Sequence, residues 1–396
     1  MINLAIVGHV DHGKSRLIGR LLYDTNSLPE EKIKEIEETS RELGQKLEFA
    51  FIVDALEEER KNMMTIDTAQ TFFKTKNREY AIIDAPGHKE FLKNMATGVS
   101  QADLAILILA ADEGIKEQTK RHAYLLKLFG ISEVIVAINK MDKVNYSKEI
   151  FENVREEILN YLEKIGIKPK FVIPISAYNG DNVVKKSEKM EWFNGPTIVE
   201  AIDRVEIKKE TKDFRMPIQD VFELDQEKVY LGNVLSGEIK KNEEITIYPE
   251  GKKIKVKRIL VDEKEIERAK APKAIGIVTD KNLKRGDILA KGSIPIITKE
   301  LTTTIFCLIE SIEEGKEYVV RCATQEVKGK VVKVEEKIDV ETLERFEGKT
   351  LKEIEIGRVK IELEKPMVFE KVSNLKELGR FVILKNGKII AGGIVI

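Results

Sequence analysis

The strongest constraint on the fold is an eight-residue stretch directly behind the first apolar run. Ile2–Val7 leads into Gly8-His9-Val10-Asp11-His12-Gly13-Lys14-Ser15, which fits the pattern GxxxxGK[ST]. Glycines let a backbone wrap a phosphate with successive N–H groups pointing inward, and a following helix adds its positive end. The pattern therefore calls for a strand, a tight loop and a helix, in that order. In that geometry Lys14 is expected to bridge the β- and γ-phosphates of a bound nucleotide, and the Ser15 hydroxyl to ligate Mg²⁺.

The remainder of residues 1–208 repeats the same alternation. Strands are expected at Leu4–Val7, Thr68–Phe73, Tyr80–Asp84, Leu104–Ala110, Val134–Asn139 and Phe171–Ile175. Helices are expected at Lys14–Leu22, Glu117–Phe129 and Lys148–Ile165. Such spacing predicts an α/β, doubly wound and mostly parallel sheet. Ser27-Leu28-Pro29-Glu30 reads as a capping box opening a further helix over Glu31–Leu43. After a charged linker, Val205–Asp213, the texture becomes short alternating segments punctuated by Gly and turn residues. That predicts two β-barrel domains, 214–298 and 299–396.

Composition removes several classes. The chain has 396 residues, 42% of them hydrophobic and 34% charged, which suits a globular protein of two or three domains and neither a disordered nor a collagen-like one. The longest run of hydrophobic letters, Leu104–Ala111, is far short of the roughly 18–20 residues of a membrane span. No leader pattern precedes Ile2, so a cytoplasmic, membrane-free protein is expected. Cys307 and Cys322 are too few for a disulfide framework and read as buried thiols. With 67 basic and 68 acidic residues, the surface as a whole is no nucleic-acid footprint. The densest basic piece, Lys252 to Arg258, alternates with Ile254 and Val256 and reads as an edge hairpin or an RNA-facing strand.

Three further motifs stand at the ends of expected strands. Asp84-Ala85-Pro86-Gly87 offers a carboxylate for Mg²⁺ through water and a Gly87 N–H for a γ-phosphate. Asn139-Lys140-Met141-Asp142 offers a carboxylate that accepts from guanine N1–H and the 2-amino group, whereas adenine has nothing to donate there. Ser176-Ala177 offers a backbone N–H to guanine O6. Together with Gly13, Lys14 and Ser15 these residues predict binding of GTP and GDP with Mg²⁺ at the carboxyl ends of the strands. Asp11 is expected beside the phosphates or a monovalent cation, while His9 and His12 are expected to pack in the loop or to support site residues from behind, and His122 to be structural.

These motifs, with His88 following Gly87 and Thr65 in Met64-Thr65-Ile66-Asp67, resemble the translation-factor class of GTPases. The resemblance implies an α/β P-loop GTPase domain followed by two β-barrel domains. It also implies that Thr65 completes the Mg²⁺ shell when GTP is bound and that His88 positions the attacking water. Further stretches are similar to the GTPase subunit of ATP sulfurylase: Leu21–Thr25, Asp54–Arg60, Gly180–Val184 with Gly195-Pro196-Thr197, Ala323–Val327 and Asp339–Glu344. Departures are His12 and Arg16 in the P-loop, and Met63, where a glycine is usual. A β-substituted residue holds φ > 0 only at a cost.

The resemblance thus implies a GTP-hydrolysing switch that drives a catalytic ATP sulfurylase subunit, which makes adenylyl sulfate and pyrophosphate from ATP and sulfate. The alternative it leaves open is an elongation-factor-like carrier of aminoacyl-tRNA, favoured by His12 and the Lys252–Arg258 strand.

Overall fold

The computed structural model describes residues 1–28, 31, 33, 34, 49, 70–84, 102–207, 213–224, 227–262 and 264–395. The expected helix over Glu31–Leu43, Thr65, Met63, Gly87 and His88 fall wholly or mainly outside them. The chain divides into two units, 1–207 and 208–396.

The first unit is a six-stranded sheet with the spatial order β2-β3-β1-β4-β5-β6. Its strands are β1 (Ile2–Gly8), β2 (Gln70–Lys74), β3 (Glu79–Asp84), β4 (Leu104–Ala110), β5 (Val134–Asn139) and β6 (Phe171–Pro174). All neighbours pair in parallel except β2 with β3. β4 and β5 are buried along their whole length, as expected of strands covered on both faces. The fold class read from the sequence holds here.

The helices carry the matching apolar stripes. In α1 (Lys14–Asp24), Leu17, Ile18, Leu21 and Leu22 are buried. In α2 (Glu117–Leu128) the buried face includes His122 and Leu125. In α3 (Lys148–Lys164), Phe151, Val154, Ile158 and Tyr161 recur every three or four residues. Ser147 caps α3 by accepting from the Ile150 N–H at 3.4 Å. A short helix missed by the pattern reading, α4 (Ile198–Arg204), starts on a capping box between Thr197 and Glu200.

The second unit is β-rich, with one helical turn at Lys376–Gly379. Its first nine strands are β7 (Phe214–Leu224), β8 (Glu227–Val234), β9 (Glu238–Lys240), β10 (Glu244–Tyr248), β11 (Lys252–Val261), β12 (Lys264–Ile266), β13 (Arg268–Lys270), β14 (Lys273–Thr279) and β15 (Ile288–Lys291). Six of them close in the order β10-β15-β7-β8-β14-β11, with β11 pairing back to β10. The next nine are β16 (Ile296–Cys307), β17 (Ile312–Glu313), β18 (Glu317–Cys322), β19 (Gln325–Ile338), β20 (Arg345–Phe346), β21 (Thr350–Leu351), β22 (Ile356–Phe369), β23 (Arg380–Lys385) and β24 (Lys388–Ile394). Six of these close as β18-β23-β24-β16-β22-β19, with β19 returning to β18. Closure leaves no open edge on either barrel wall.

The strands are not uniformly short, as the sequence texture suggested. β19 and β22 each run for 14 residues. Register shifts at Val331/Lys333 and Val334/Glu336 put extra residues into β19. Each bulge breaks the in–out alternation, so one long bent strand reads as several short ones.

A buried charge ties the two barrels. Arg215, fully buried, donates from Nε to Glu370 Oε1 at 2.8 Å. Its remaining N–H groups reach the carbonyls of Phe214, Lys291 and Ser293 at 2.8–3.2 Å. A guanidinium is tolerated in such a place only when its donors are satisfied in this way. Both cysteines are buried, and burial pushes each thiol up to about 12, which keeps them unreactive.

Candidate functional site

Because β1, β3, β4, β5 and β6 run in parallel, Gly8, Asp84, Asn139 and Pro174 end on the same edge of the sheet. Among the described residues, the loops that follow β1, β5 and β6 come together there.

The P-loop is held by close approach. A Cβ at Gly8 would lie 2.2 Å from the carbonyl oxygen of Ile108 on β4. Gly13 has φ 95°, and a Cβ there would meet Asn139 Nδ2 at 2.3 Å. Glycine is required at both positions. Asp11 sits at φ 67°, exposed at the tip of the loop. Lys14 folds back over the loop, and its Nζ donates to the carbonyls of Gly8 and His9 at 2.9 Å each. α1 begins with no side-chain cap and no acidic residue in its first turn. Its positive end is therefore left for an external anion. Among the described residues Ser15 Oγ makes no hydrogen bond, so a hard oxygen donor stands ready beside Lys14. This arrangement fits a nucleotide phosphate with a divalent cation.

The loop after β5, expected on the base side, is tied to the P-loop through one amide. Asn139 donates from Nδ2 to the His12 carbonyl at 2.9 Å. Its Oδ1 accepts from the Ala177 N–H, also at 2.9 Å. Three loops thus meet at one buried side chain. The N–H expected to face guanine O6 has Asn139 as its partner here. Lys140 adopts the left-handed region (φ 63°) and opens a 3₁₀ turn, Met141–Val144. Asp142 in that turn accepts from Ser176 Oγ at 2.5 Å. Lys140 Nζ reaches Glu113 Oε1 at 2.9 Å, and this hydrogen bond holds the Glu113 carboxyl below the usual carboxylate range.

The three histidines near the phosphate loop pack, as expected. The His9 and His12 rings meet edge-on at 4.9 Å. His12 and His122 are buried. Burial, then His9, lowers His12 to about 4. Burial, then Lys14, lowers His122 to about 3. Both rings are therefore neutral at pH 7 and place no competing cation beside Lys14.

Two features escaped the sequence reading. Arg16 stacks over the Tyr178 ring at 5.3 Å, joining α1 to the base-side loop. Tyr146, two residues past the 3₁₀ turn, gathers several partners at its hydroxyl, taken up below. Neither has a motif that announces it. Of the remaining expected site residues, Asp84 closes β3 with its backbone, and Thr65, Gly87 and His88 lie outside the described residues.

A P-loop and a base-side pair of loops, tied together at the carboxyl ends of parallel strands, define a nucleotide-binding protein of the GTPase type. Residues 1–208 match the Elongation factor Tu GTP binding domain family, and residues 300–396 match the GTP-eEF1A C-terminal domain-like family. The chain belongs to the translation-factor class of GTPases. It is 37% identical to sulfate adenylyltransferase subunit 1 of Alteromonas mediterranea over 408 residues, covering 100% of this chain and 87% of that relative. It is 40% identical to elongation factor 1-alpha of Pyrococcus abyssi over 416 residues (100% and 97%), and 41% identical to that of Methanopyrus kandleri (99% and 96%). A solved structure, sup35 complexed with GMPPNP, aligns over 100% of this chain and 93% of its own at 23% identity, with a TM-score of 0.45.

Among the described residues no helix is long and apolar enough to cross a membrane.

Proposed function

We propose that this GTPase is the regulatory subunit of an ATP sulfurylase, coupling GTP hydrolysis to adenylyl sulfate synthesis by a catalytic partner subunit. It has three domains in this reading, 1–208, 214–298 and 299–396, and works in the cytoplasm. Lys14 and the P-loop N–H groups, with Asp11 and Gly13 in the same loop, hold the phosphates. Asn139, Lys140, Asp142, Ser176 and Ala177 hold the base. Ser15, Thr65 and Asp84 are the residues that would hold Mg²⁺, which when bound neutralises charge on the β- and γ-phosphates. Gly87 senses the γ-phosphate, and His88 orients the attacking water. The switch is an ordering of the segments around Thr65 and after Asp84 when the γ-phosphate is present, and their release after its cleavage.

The observation that carries the choice of partner is the charge around β11. Lys252 pairs with Glu250 at 2.7 Å, Lys253 with Glu244 at 2.7 Å, and Arg258 with Glu227 and Glu265 at 2.8 and 3.0 Å. Three of the five cations in this strand are matched by carboxylates of the same barrel. Exposed pairs of this kind add little stability, but they leave little net positive field for a phosphate backbone. A tRNA-binding role for the strand loses support accordingly.

In the last barrel, the two stretches resembling the sulfurylase subunit form specific turns. Ala323 is left-handed (φ 49°), and Gln325 exchanges two 2.8 Å hydrogen bonds with the Val368 backbone. Asp339 Oδ1 accepts from the N–H groups of Glu341 and Thr342.

The test is reconstitution with an ATP sulfurylase catalytic subunit, measuring adenylyl sulfate formed from ATP and sulfate. A stable complex whose yield rises with GTP, and not with a non-hydrolysable analogue, is expected. Absence of a complex, together with GTP-dependent and salt-sensitive capture of aminoacyl-tRNA, would replace this reading with the carrier one.

A further inference from the structure

Asn145 and Tyr146 both lie in the left-handed region, with φ 50° and 56°. Asn tolerates it, whereas a bulky aromatic there is a strained exception. Such strain persists where surrounding contacts over-determine it, and it gathers at functional sites.

The contacts are present. The Tyr146 N–H closes the 3₁₀ turn onto the Met141 carbonyl at 2.8 Å. The Tyr146 carbonyl accepts from the Trp192 indole at 3.1 Å. Its hydroxyl donates to Asp181 Oδ2 at 3.0 Å and accepts from Asn179 Nδ2 at 3.0 Å and Lys189 Nζ at 3.1 Å. One donor and two acceptors exhaust what a phenol offers. Asn179 and Asp181 belong to the loop that also carries Ser176. That loop is closed by Gly180 N–H to the Ser176 carbonyl at 2.7 Å and Ser176 N–H to the Asp181 carbonyl at 3.1 Å. The 3₁₀ turn and the Ser176–Asp181 loop are therefore tied twice: at Asp142 by Ser176 Oγ, and at Tyr146 by Asp181 and Asn179.

We infer that Tyr146 is a positioning residue for guanine specificity, fixing where the Asp142 carboxylate stands relative to the 2-amino group of the base. The inference rests on Asp142 as the base-reading carboxylate. Removing the hydroxyl leaves the chain folded around the ring but frees the turn to shift against the loop, and the carboxylate shifts with it.

The test compares GDP with IDP, whose hypoxanthine keeps N1–H and lacks the 2-amino group. The wild-type protein is measured first. If it does not prefer GDP over IDP, the Asp142 assignment itself fails. Given that preference, Tyr146→Phe should lower the GDP-to-IDP affinity ratio by roughly five- to tenfold, the worth of one hydrogen bond, mostly through weaker GDP binding. Asn179→Ala, an exposed change that removes one donor to the hydroxyl, should lower the ratio in the same direction by less, and it serves if Tyr146→Phe does not fold. A merely structural tyrosine would lower the melting temperature or weaken both nucleotides equally. An unchanged ratio in either folded variant would overturn the inference.

Discussion

Replacing Asn139 with Ala removes the single side chain on which three loops meet. The change deletes the Nδ2 bond to the His12 carbonyl and the Ala177 N–H bond to Oδ1, both 2.9 Å. Asn139 is 2% exposed, so both orphaned backbone groups stay away from water. Each is expected to cost about 1–3 kcal/mol, giving about 2–6 kcal/mol for the pair. The lower end applies if water enters the space left by the amide. The loss divides between global stability and the bound geometry of the loops. If a quarter or more of it falls on binding, GDP affinity drops by roughly twofold to twelvefold or beyond. Asn139→Asp keeps an acceptor for Ala177 but turns a carboxylate on the His12 carbonyl, and it should be at least as damaging. Titration with a fluorescent GDP analogue, alongside urea unfolding of the same samples, separates the two shares. An alanine variant with unchanged affinity and an unchanged unfolding midpoint would refute the role assigned to this residue.

Other perturbations test other links. Replacing His88 with Ala should leave GTP affinity near normal while slowing partner-stimulated hydrolysis by roughly 10²-fold or more; single-turnover cleavage at wild-type speed would remove His88 from the chemistry. Arg215→Ala would leave Glu370 buried without its cation and should destabilise the barrel unit by about 3–5 kcal/mol, read as a lower urea midpoint; a shift under 1 kcal/mol would contradict the buried-pair description. The lowered pKa values of His12 and His122 mean that the unfolded chain binds their protons first. Stability should therefore fall as pH drops from about 6.5 towards 4, by up to roughly 1.4 kcal/mol per pH unit for each ring. His122→Phe should remove about one proton from that slope, and a slope unaltered by the substitution would contradict the burial of a neutral ring.

Much of the first unit could be read from the chain because its signals are local. A fully buried strand such as Leu104–Ala110 is a plain apolar run, and both its ends agree with the structure. The P-loop glycines are dictated by backbone crowding at Gly8 and Gly13, which the motif encodes. Asn139 is legible as the end of an apolar strand, but its tie to His12 and Ala177 depends on two contacts distant in sequence, which no spacing records. Tyr146 was invisible for a different reason. Its left-handed backbone is imposed by Asp181, Asn179, Lys189 and Trp192, while its own residue type argues against that conformation. In the barrels, bulges within β19 broke the alternation and hid the length of the strand. α4 escaped because seven residues offer barely two turns of periodicity.

The central claim is that the carboxylate on the 3₁₀ turn reads a guanine base. Calorimetric titration of the wild-type protein and of Asp142→Asn, each with GDP and with XDP in the presence of Mg²⁺, tests it most directly. The account predicts that the wild type takes GDP in strong preference to XDP, and that the amide variant reverses the order, because its new N–H donates to the 2-oxo group of xanthine. Undiminished GDP binding by the variant would contradict it.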